Sequence, residues 1–511
     1  MSVRMGHWPA DIPGYGPVRP FAGAFADRGR VTRAGLTVHP ARPEGKKLLP
    51  DLDAAIRACG LRDGATISFH HHLRNGDAVL NQVLDAVARA GLRGITVAAS
   101  ALFAVHAPLI EHIRAGVVTG LAASTIYGPL ALAVSQRILT KPVLMYTHGG
   151  RARAVESGDL RIDVAFVAAP VADSYGNLNG THGRAACGPL GYAVTDAQGA
   201  ERVVAVTDTL VPYPAVPIEI GQDWVDFVVP IASIGDPSLI VSGTTRATTD
   251  PVALGIAETA ASVIAASGLL TDGFSFQTGA GGASLAAAAY LGTIMAERGV
   301  AGSFAAGGIT AGIVRMFDAG LFRALMDVQA FDIDAVDSFR RSPAHQSMSA
   351  SMYANPHNRG CVVNRIDASI LGAAEIDRTF NVNVTTGTDG IILGGSGGHA
   401  DTAAGASLTL ITTQLVARSH AKVVDHVTTV TTPGETVDVV VTDGGVTVNP
   451  RRLELADRLR AAGIPLVGID DLAAEARRRA GAPARPRAAD GRIVAVVEYR
   501  DGTVIDMVPA V

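Results

Sequence analysis

Lysine is nearly absent from this 511-residue sequence, with only Lys46, Lys47, Lys141 and Lys422 among its 43 basic residues. The bias reads as genomic composition, and it leaves arginine, histidine and backbone N–H groups to hold any anionic ligand. Cysteine is scarce as well. Cys59, Cys187 and Cys361 are far apart and odd in number, which fits neither a disulfide framework nor a zinc site and suits a reducing cytoplasm. Aromatic residues make up 5% against 57 glycines, a mix that disfavours a helical bundle and favours α/β layers with many tight turns. No excess of positive charge is present (net −4), so nucleic acid and membrane surfaces are not expected partners. Apolar runs fall well short of the ~20 residues that span a bilayer. The opening MSVRMGHWPADIPGYG lacks the apolar stretch of a signal peptide. A cytoplasmic protein is expected.

Hydrophobic residues reach 48%, enough for a sizeable core and for two or three domains in a chain of this length. A weak duplication organises it. Thr66-Ile67-Ser68-Phe69 reads as a strand that enters the loop HHHLRNGD. A helix follows, with Val79, Leu80, Val83, Leu84 and Val87 at helical spacing. About two hundred residues on, Phe274-Ser275-Phe276 enters QTGAGGAS and then a second helix. Asp77 and Ser284, each nine steps after the matching serine, are the expected N-caps. GLRGITVAAS (91–100) likewise faces GVAGSFAAGG (299–308), and HIRAGVV (112–118) faces MFDAGLF (316–322).

Each half is therefore expected to be an open α/β unit that binds ligands at the carboxyl ends of its strands. Further strands are expected at 143–147, 163–170, 203–207, 408–412 and 437–443, with hairpins turning at Asp443-Gly444-Gly445 and Asp501-Gly502. The expected division is an N-terminal surface arm over 1–44, a first unit over 45–245 and a second over 246–511. Residues 475–491 read as a polar, proline-containing linker.

Three glycine-dense loops follow expected strands: 278–284 (Gly279, Gly281, Gly282), 305–312 (Gly307, Gly308) and 393–407 (Gly397, Gly398). Such loops let N–H groups converge on a phosphate or a developing oxyanion, although tight turns alone would also use them. Adjacent histidines on an extended chain point to opposite faces, so His70-His71-His72 is a poor metal site. With Arg74 the segment suits carboxylate binding: the guanidinium offers a bidentate fork, and imidazoles donate hydrogen bonds or change charge near neutral pH. A solvated polar loop is the competing reading. His148 and Arg151 supply further positive charge after another strand. His399 and Asp401 in GGHAD could orient a substrate, or Asp401 could cap a helix.

On these residues the chain resembles the citrate lyase alpha subunits. The shared pattern comprises SFHH-x-x-R-x-GD-x-V-x-N (68–81), IEHI-x-x-GVV (110–118), HGGR (148–151), and GN-x-NG leading to CG-x-LGYA (176–193). DGFS-x-QTG-x-GGASLA (272–286), GGIT-x-G (307–312), FNVNV (380–384), SGGH-x-DTAAGA (396–406) and YRDG-x-VID extend it over nearly the whole chain. The resemblance implies two tandem CoA-transferase-like α/β domains with open, mostly parallel sheets related by an internal repeat. It implies exchange of acetate for citrate on a thioester carrier, a phosphoribosyl-dephospho-CoA arm of the acyl carrier (gamma) subunit, with acetyl-CoA as a substitute. No cofactor is expected to be bound covalently to this chain, and no metal. The beta subunit would then cleave the citryl thioester.

Many CoA-transferases place a nucleophilic glutamate where this sequence has Gly307-Gly308, and the nearest acid downstream is Asp318. A direct route through a mixed anhydride is therefore expected. Backbone N–H groups of Gly281, Gly282, Gly397 and Gly398, with His399, would be catalytic. His70, His71, Arg74, His148, Arg151, Gly279, Gly307, Gly308 and Asp401 would bind substrate. A citramalate or other carboxylate CoA-transferase, an acyl-CoA hydrolase and a non-catalytic scaffold are the alternatives.

Overall fold

A computed structural model of the chain describes residues 8–26, 32–35, 45–241, 246–279, 281–481 and 491–511. Two large sheets dominate it. The first runs, across its width, Phe227–Pro230, Ala200–Thr207, Ile162–Ala169, Thr66–Phe69, Ile95–Ala99, Val118–Ala123 and Val143–Met145. The second runs Val439–Thr442, Leu408–Thr412, Ala368–Gly372, Ser275–Thr278, Gly302–Ile309, Phe322–Ala330 and His345–Ser347. The seven-strand order is the same in both when strands are counted from the start of each half, and all these pairings are parallel. The expected duplication is thus a duplicated topology.

Burial explains the strand sequences. Parallel strands covered on both faces read as continuous apolar runs, and Val203, Val204, Ala205 and Val206 are all buried. The helix Val79–Arg89 turns its predicted face inward: Val79, Leu80, Val83, Leu84 and Val87 are each at most 1% exposed. The N-cap position falls to Ala78 instead of Asp77, but Asp77, one residue earlier, still accepts from the N–H groups of Val79 and Leu80. Ser284 does not cap its helix. That helix, Gly282–Arg298, starts two residues earlier, and the Ser284 hydroxyl meets Thr412 Oγ1 at 3.1 Å.

A second duplication lies in small hairpins after the strands ending at Ala169 and Gly372. Asp173 accepts from the N–H groups of Tyr175, Gly176 and Asn177, and Asp377 accepts from those of Thr379 and Asn381. Asn179 and Asn383 each cap the turn that follows. GN-x-NG and FNVNV are therefore the same backbone-holding device used twice.

Two expectations about boundaries change. The C-terminal hairpin, Ile493–Glu498 with Val504–Pro509, falls in the span 246–511 but pairs in parallel with Val143–Met145 of the first sheet. The exposed edge of that sheet supplies the free N–H and C=O groups that accept it. The stretch read as a linker over 475–491 begins as helix, since Ile469–Ala480 is continuous, and 482–490 lie outside the described residues. The described part of the arm packs on the same hairpin: Trp8, Tyr15 and Val18 lie against Ile12, Val496 and Val504.

Candidate active site

The carboxyl ends of both sheets meet around a cavity of about 400 Å³. Loops from the first half bring His71, Arg74, Phe103, Thr125, Tyr127, His148 and Tyr192 to its wall. The second half brings Gln277, Gly279, Gly281, Gly308, Gln329, Phe331, Tyr353 and the segment Leu393–His399. That segment crosses onto the first sheet: Ile126 N–H donates to Gly394 C=O (3.2 Å) and His148 N–H to Gly397 C=O (2.8 Å).

Arg74 is the cation of the cavity wall. It is 7% exposed, in a left-handed backbone conformation (φ 53°). Its guanidinium lies 4.7 Å from the Phe103 ring centroid and 5.3 Å from that of Phe331. Among the described residues no carboxylate pairs with it, and its Nε is buried without a partner. Burial lowers its pKa, opposed by Tyr127 and Tyr192. A buried cation held between two aromatic faces with no counter-ion is poised for an anion from solution.

The histidine run is not a solvated loop. His70, His71 and His72 are all buried, and His70 and His72 touch through their Nδ1 atoms. Burial lowers the imidazole of His70 to about 4 and pushes His71 and His72 well below their ordinary value, so they are neutral at physiological pH. His71 faces the cavity, while His70 does not line it. His148, the first residue of the helix His148–Ser157, is lowered to about 3 by burial, then by Arg151 and Arg74. Of the two roles expected for the histidine run, hydrogen bonding or a change of charge near neutral pH, the lowered values favour the first.

Other expected residues fall outside the cavity wall. Arg151 makes a bidentate pair with Asp196 (2.6 and 2.9 Å) and also donates to Ala98 C=O, so its charge is spent inside the first half. Asp401 accepts from Thr147 Oγ1 (2.8 Å) and Gly149 N–H (2.9 Å). It caps the helix that carries His148, not its own, and ties the halves together. His399 lines the cavity, but both ring nitrogens are engaged: Nε2 donates to Gly372 C=O (2.8 Å) and Nδ1 meets Thr432 Oγ1 (2.7 Å). It has no free lone pair or proton for chemistry.

The glycines divide similarly. Gly279, Gly281, Gly308, Gly397 and Gly398 line the cavity, whereas Gly282 and Gly307 do not. Gly308 is needed for a close approach, because an added Cβ would sit 2.2 Å from the Phe331 ring. Gly397 N–H donates to Ser124 C=O at 3.4 Å, which leaves Gly281 and Gly398 as the better placed backbone donors.

Reading the sequence missed Tyr192, Gln277, Gln329, Tyr353 and the two phenylalanines. Gln277 donates to Tyr353 Oη (2.7 Å) and Thr402 Oγ1 (2.9 Å), and Gln329 donates to His71 C=O (2.8 Å). Gln277 was findable, since it occupies in the second half the place of His70 in the first. No local signal marks Phe103 or Phe331. Among the described residues no Asp, Glu, Cys or Lys lines the cavity.

The family model for "citrate lyase, alpha subunit" matches residues 45–511. The chain belongs to the citrate lyase alpha subunit family. The citrate lyase alpha chain of Escherichia coli (strain K12) is 48% identical over 472 residues, 92% of each chain. The alpha subunit of citrate lyase from Streptococcus mutans, solved in complex with citrate, is 45% identical over 96% of both chains with a TM-score of 0.93. A 4-hydroxybutyrate CoA-transferase from Porphyromonas gingivalis, at 18% identity and TM-score 0.56 over 85% of this chain and 98% of its own, shares the CoA-transferase-like fold. The enzyme class is that of the family, the citrate CoA-transferase subunit of citrate lyase. Among the described residues no helix is long and apolar enough to cross a membrane.

Proposed function

We propose that this cavity exchanges acetate for citrate on an acyl thioester, with Arg74 holding a citrate carboxylate. The observation that carries the reading is the Arg74 guanidinium, buried between Phe103 and Phe331 without a counter-ion, in a family whose Streptococcus mutans relative was solved with citrate. A carboxylate there would gain charge-assisted hydrogen bonds in a low-dielectric site.

Among the described residues no acidic or thiol side chain lines the wall, which supports a direct route without a covalent enzyme thioester. A citrate carboxylate oxygen attacks the acetyl carbonyl carbon, and the C–S bond breaks to release a thiolate. The thiolate then attacks the citryl carbonyl of the mixed anhydride, and acetate leaves. Holding both reactants in register can lower the barrier by up to roughly 7–11 kcal/mol. Gly281 and Gly398 are the backbone donors proposed for the oxyanions. The natural thioester would sit on the phosphoribosyl-dephospho-CoA arm of a gamma subunit, with a beta subunit acting next, in the cytoplasm.

Acetate release from acetyl-CoA, as a surrogate carrier, tests the reading. Release that requires citrate, with citryl-CoA formed in step, is expected. Release without citrate would instead make the chain a hydrolase, and preference for citramalate would change the acid. Trapping of a glutamyl thioester by hydroxylamine would overturn the direct route.

A further inference from the structure

The CG-x-LGYA stretch carries a tyrosine that faces the cavity. Its tyrosine, Tyr192, is the second residue of the helix Gly191–Gly199. Gly191 lets that helix end press against the second half, since an added Cβ would meet Met348 O at 2.3 Å and Val328 O at 2.6 Å. The Tyr192 ring is 5% exposed and packs against His71 (4.6 Å between centroids) and His148 (4.5 Å). Two neutral rings thus fix its direction. Its hydroxyl makes no hydrogen bond to any described residue, although the side chain lines the cavity.

Buried phenols normally find a partner, because a hydroxyl left unpaired costs about 1–3 kcal/mol. Here no described residue supplies one, and the hydroxyl opens onto the cavity. We propose that Tyr192 is a catalytic residue whose hydroxyl donates a hydrogen bond to the thioester carbonyl oxygen as it becomes an oxyanion. The assignment rests on the transferase reading above. When the citrate oxygen bonds to the acyl carbon, the carbonyl electron pair moves onto that oxygen, and the Tyr192 O–H stabilises it. The pair returns as the C–S bond breaks. No proton changes hands. Burial, followed by Tyr353, Asp401 and Asp327, raises the phenol well above its ordinary value, so it remains a donor throughout the neutral range. Arg74 remains with the carboxylate, and the two roles are kinetically separable.

The test is steady-state kinetics of Tyr192→Phe in the full chain, with citrate and acetyl-CoA, beside a thermal melt. Loss of one oxyanion donor lowers kcat by about 10²-fold, with KM for citrate unchanged. The melting temperature should be unchanged or higher, because the substitution removes a hydroxyl without an internal partner. A raised KM at unchanged kcat would mean that Tyr192 holds a carboxylate, and unchanged kinetics would mean that it does nothing; either overturns the proposal. A melting temperature lowered together with kcat would mark a structural role and overturn it too. Wild-type chain that releases no acetate in response to citrate overturns the transferase reading itself, and the Tyr192 assignment with it.

Discussion

At the scale of single residues, the deciding contrast is between Arg74 and Arg151. Both are buried arginines from the first half, yet Arg151 is neutralised by Asp196 while Arg74 has only aromatic faces beside it. Replacing Arg74 by Lys removes the planar fork and the stacking surface. Citrate KM is expected to rise at least about tenfold, corresponding to the ~1.4 kcal/mol or more that a charge-assisted hydrogen bond contributes. Arg74→Met should abolish citrate-dependent acetate release while leaving the melting temperature equal or higher, because an unpaired buried charge is removed. A destabilised Arg74→Met would mean that the guanidinium serves the fold. For His399 the expectation is reversed: with both nitrogens used by Gly372 and Thr432, His399→Ala should cost about 1–3 kcal/mol of stability. The pH–rate profile should keep its shape. A lost ionisation in that profile would restore His399 to the chemistry. His71 and Arg74 could be singled out in the sequence because residue type and loop position coincide there. The partner that disqualifies Arg151 lies 45 positions away, and no local pattern reveals it.

At the scale of elements, strands and their following loops were legible because burial on both faces writes continuous apolar runs, and the repeat doubles each signal. Helix starts were less legible. Asp77 holds the first-turn N–H groups from one residue before the N-cap Ala78, whereas Ser284 lies inside its helix, where it meets the strand residue Thr412. GGHAD shows the limit most clearly. Its Asp401 caps the helix His148–Ser157 from the other half, a long-range contact that sequence proximity hides. The approach is so close that a Cβ on Gly149 would lie 2.0 Å from Ala354 O and 2.7 Å from Asp401 Oδ1. Gly149→Ala must therefore push the two halves apart, at about 1–3 kcal/mol or more. The expected result is a lower melting temperature together with reduced kcat, since His148 and the Gly397 segment move with the helix. Unchanged melting and activity would show that the halves tolerate separation here, and that the cavity does not depend on this contact.

At the scale of the whole molecule, the two halves are not two consecutive pieces of chain, because the last hairpin returns to the first sheet and the arm covers it. Glu498 sits at this closure, accepting from Tyr15 Oη at 2.9 Å and facing Arg153 Nη2 at 3.9 Å. Burial raises its carboxyl from 4.5 to about 7 despite Arg153, Tyr15 and Arg19, with Asp159 opposing them. A carboxyl whose folded-state pKa is raised contributes stability that is complete below its unfolded value and is lost as pH rises through the folded one. The window for Glu498 thus runs from about pH 4.5 to about 7. Asp159 and Asp173, held below their ordinary values, act in the opposite sense at lower pH, so the wild-type melting curve alone would mix the effects. The difference between Glu498→Gln and wild type isolates one group. Glutamine mimics the protonated carboxyl, so the two proteins should melt nearly together at about pH 4, below the unfolded value. The variant should gain on wild type up to about pH 7 and then level off, by on the order of 3 kcal/mol for the full shift. A difference that does not change with pH would mean that the Glu498 carboxylate is as well solvated in the folded chain as in the unfolded one. The closure by arm and hairpin would then be looser than its packing implies.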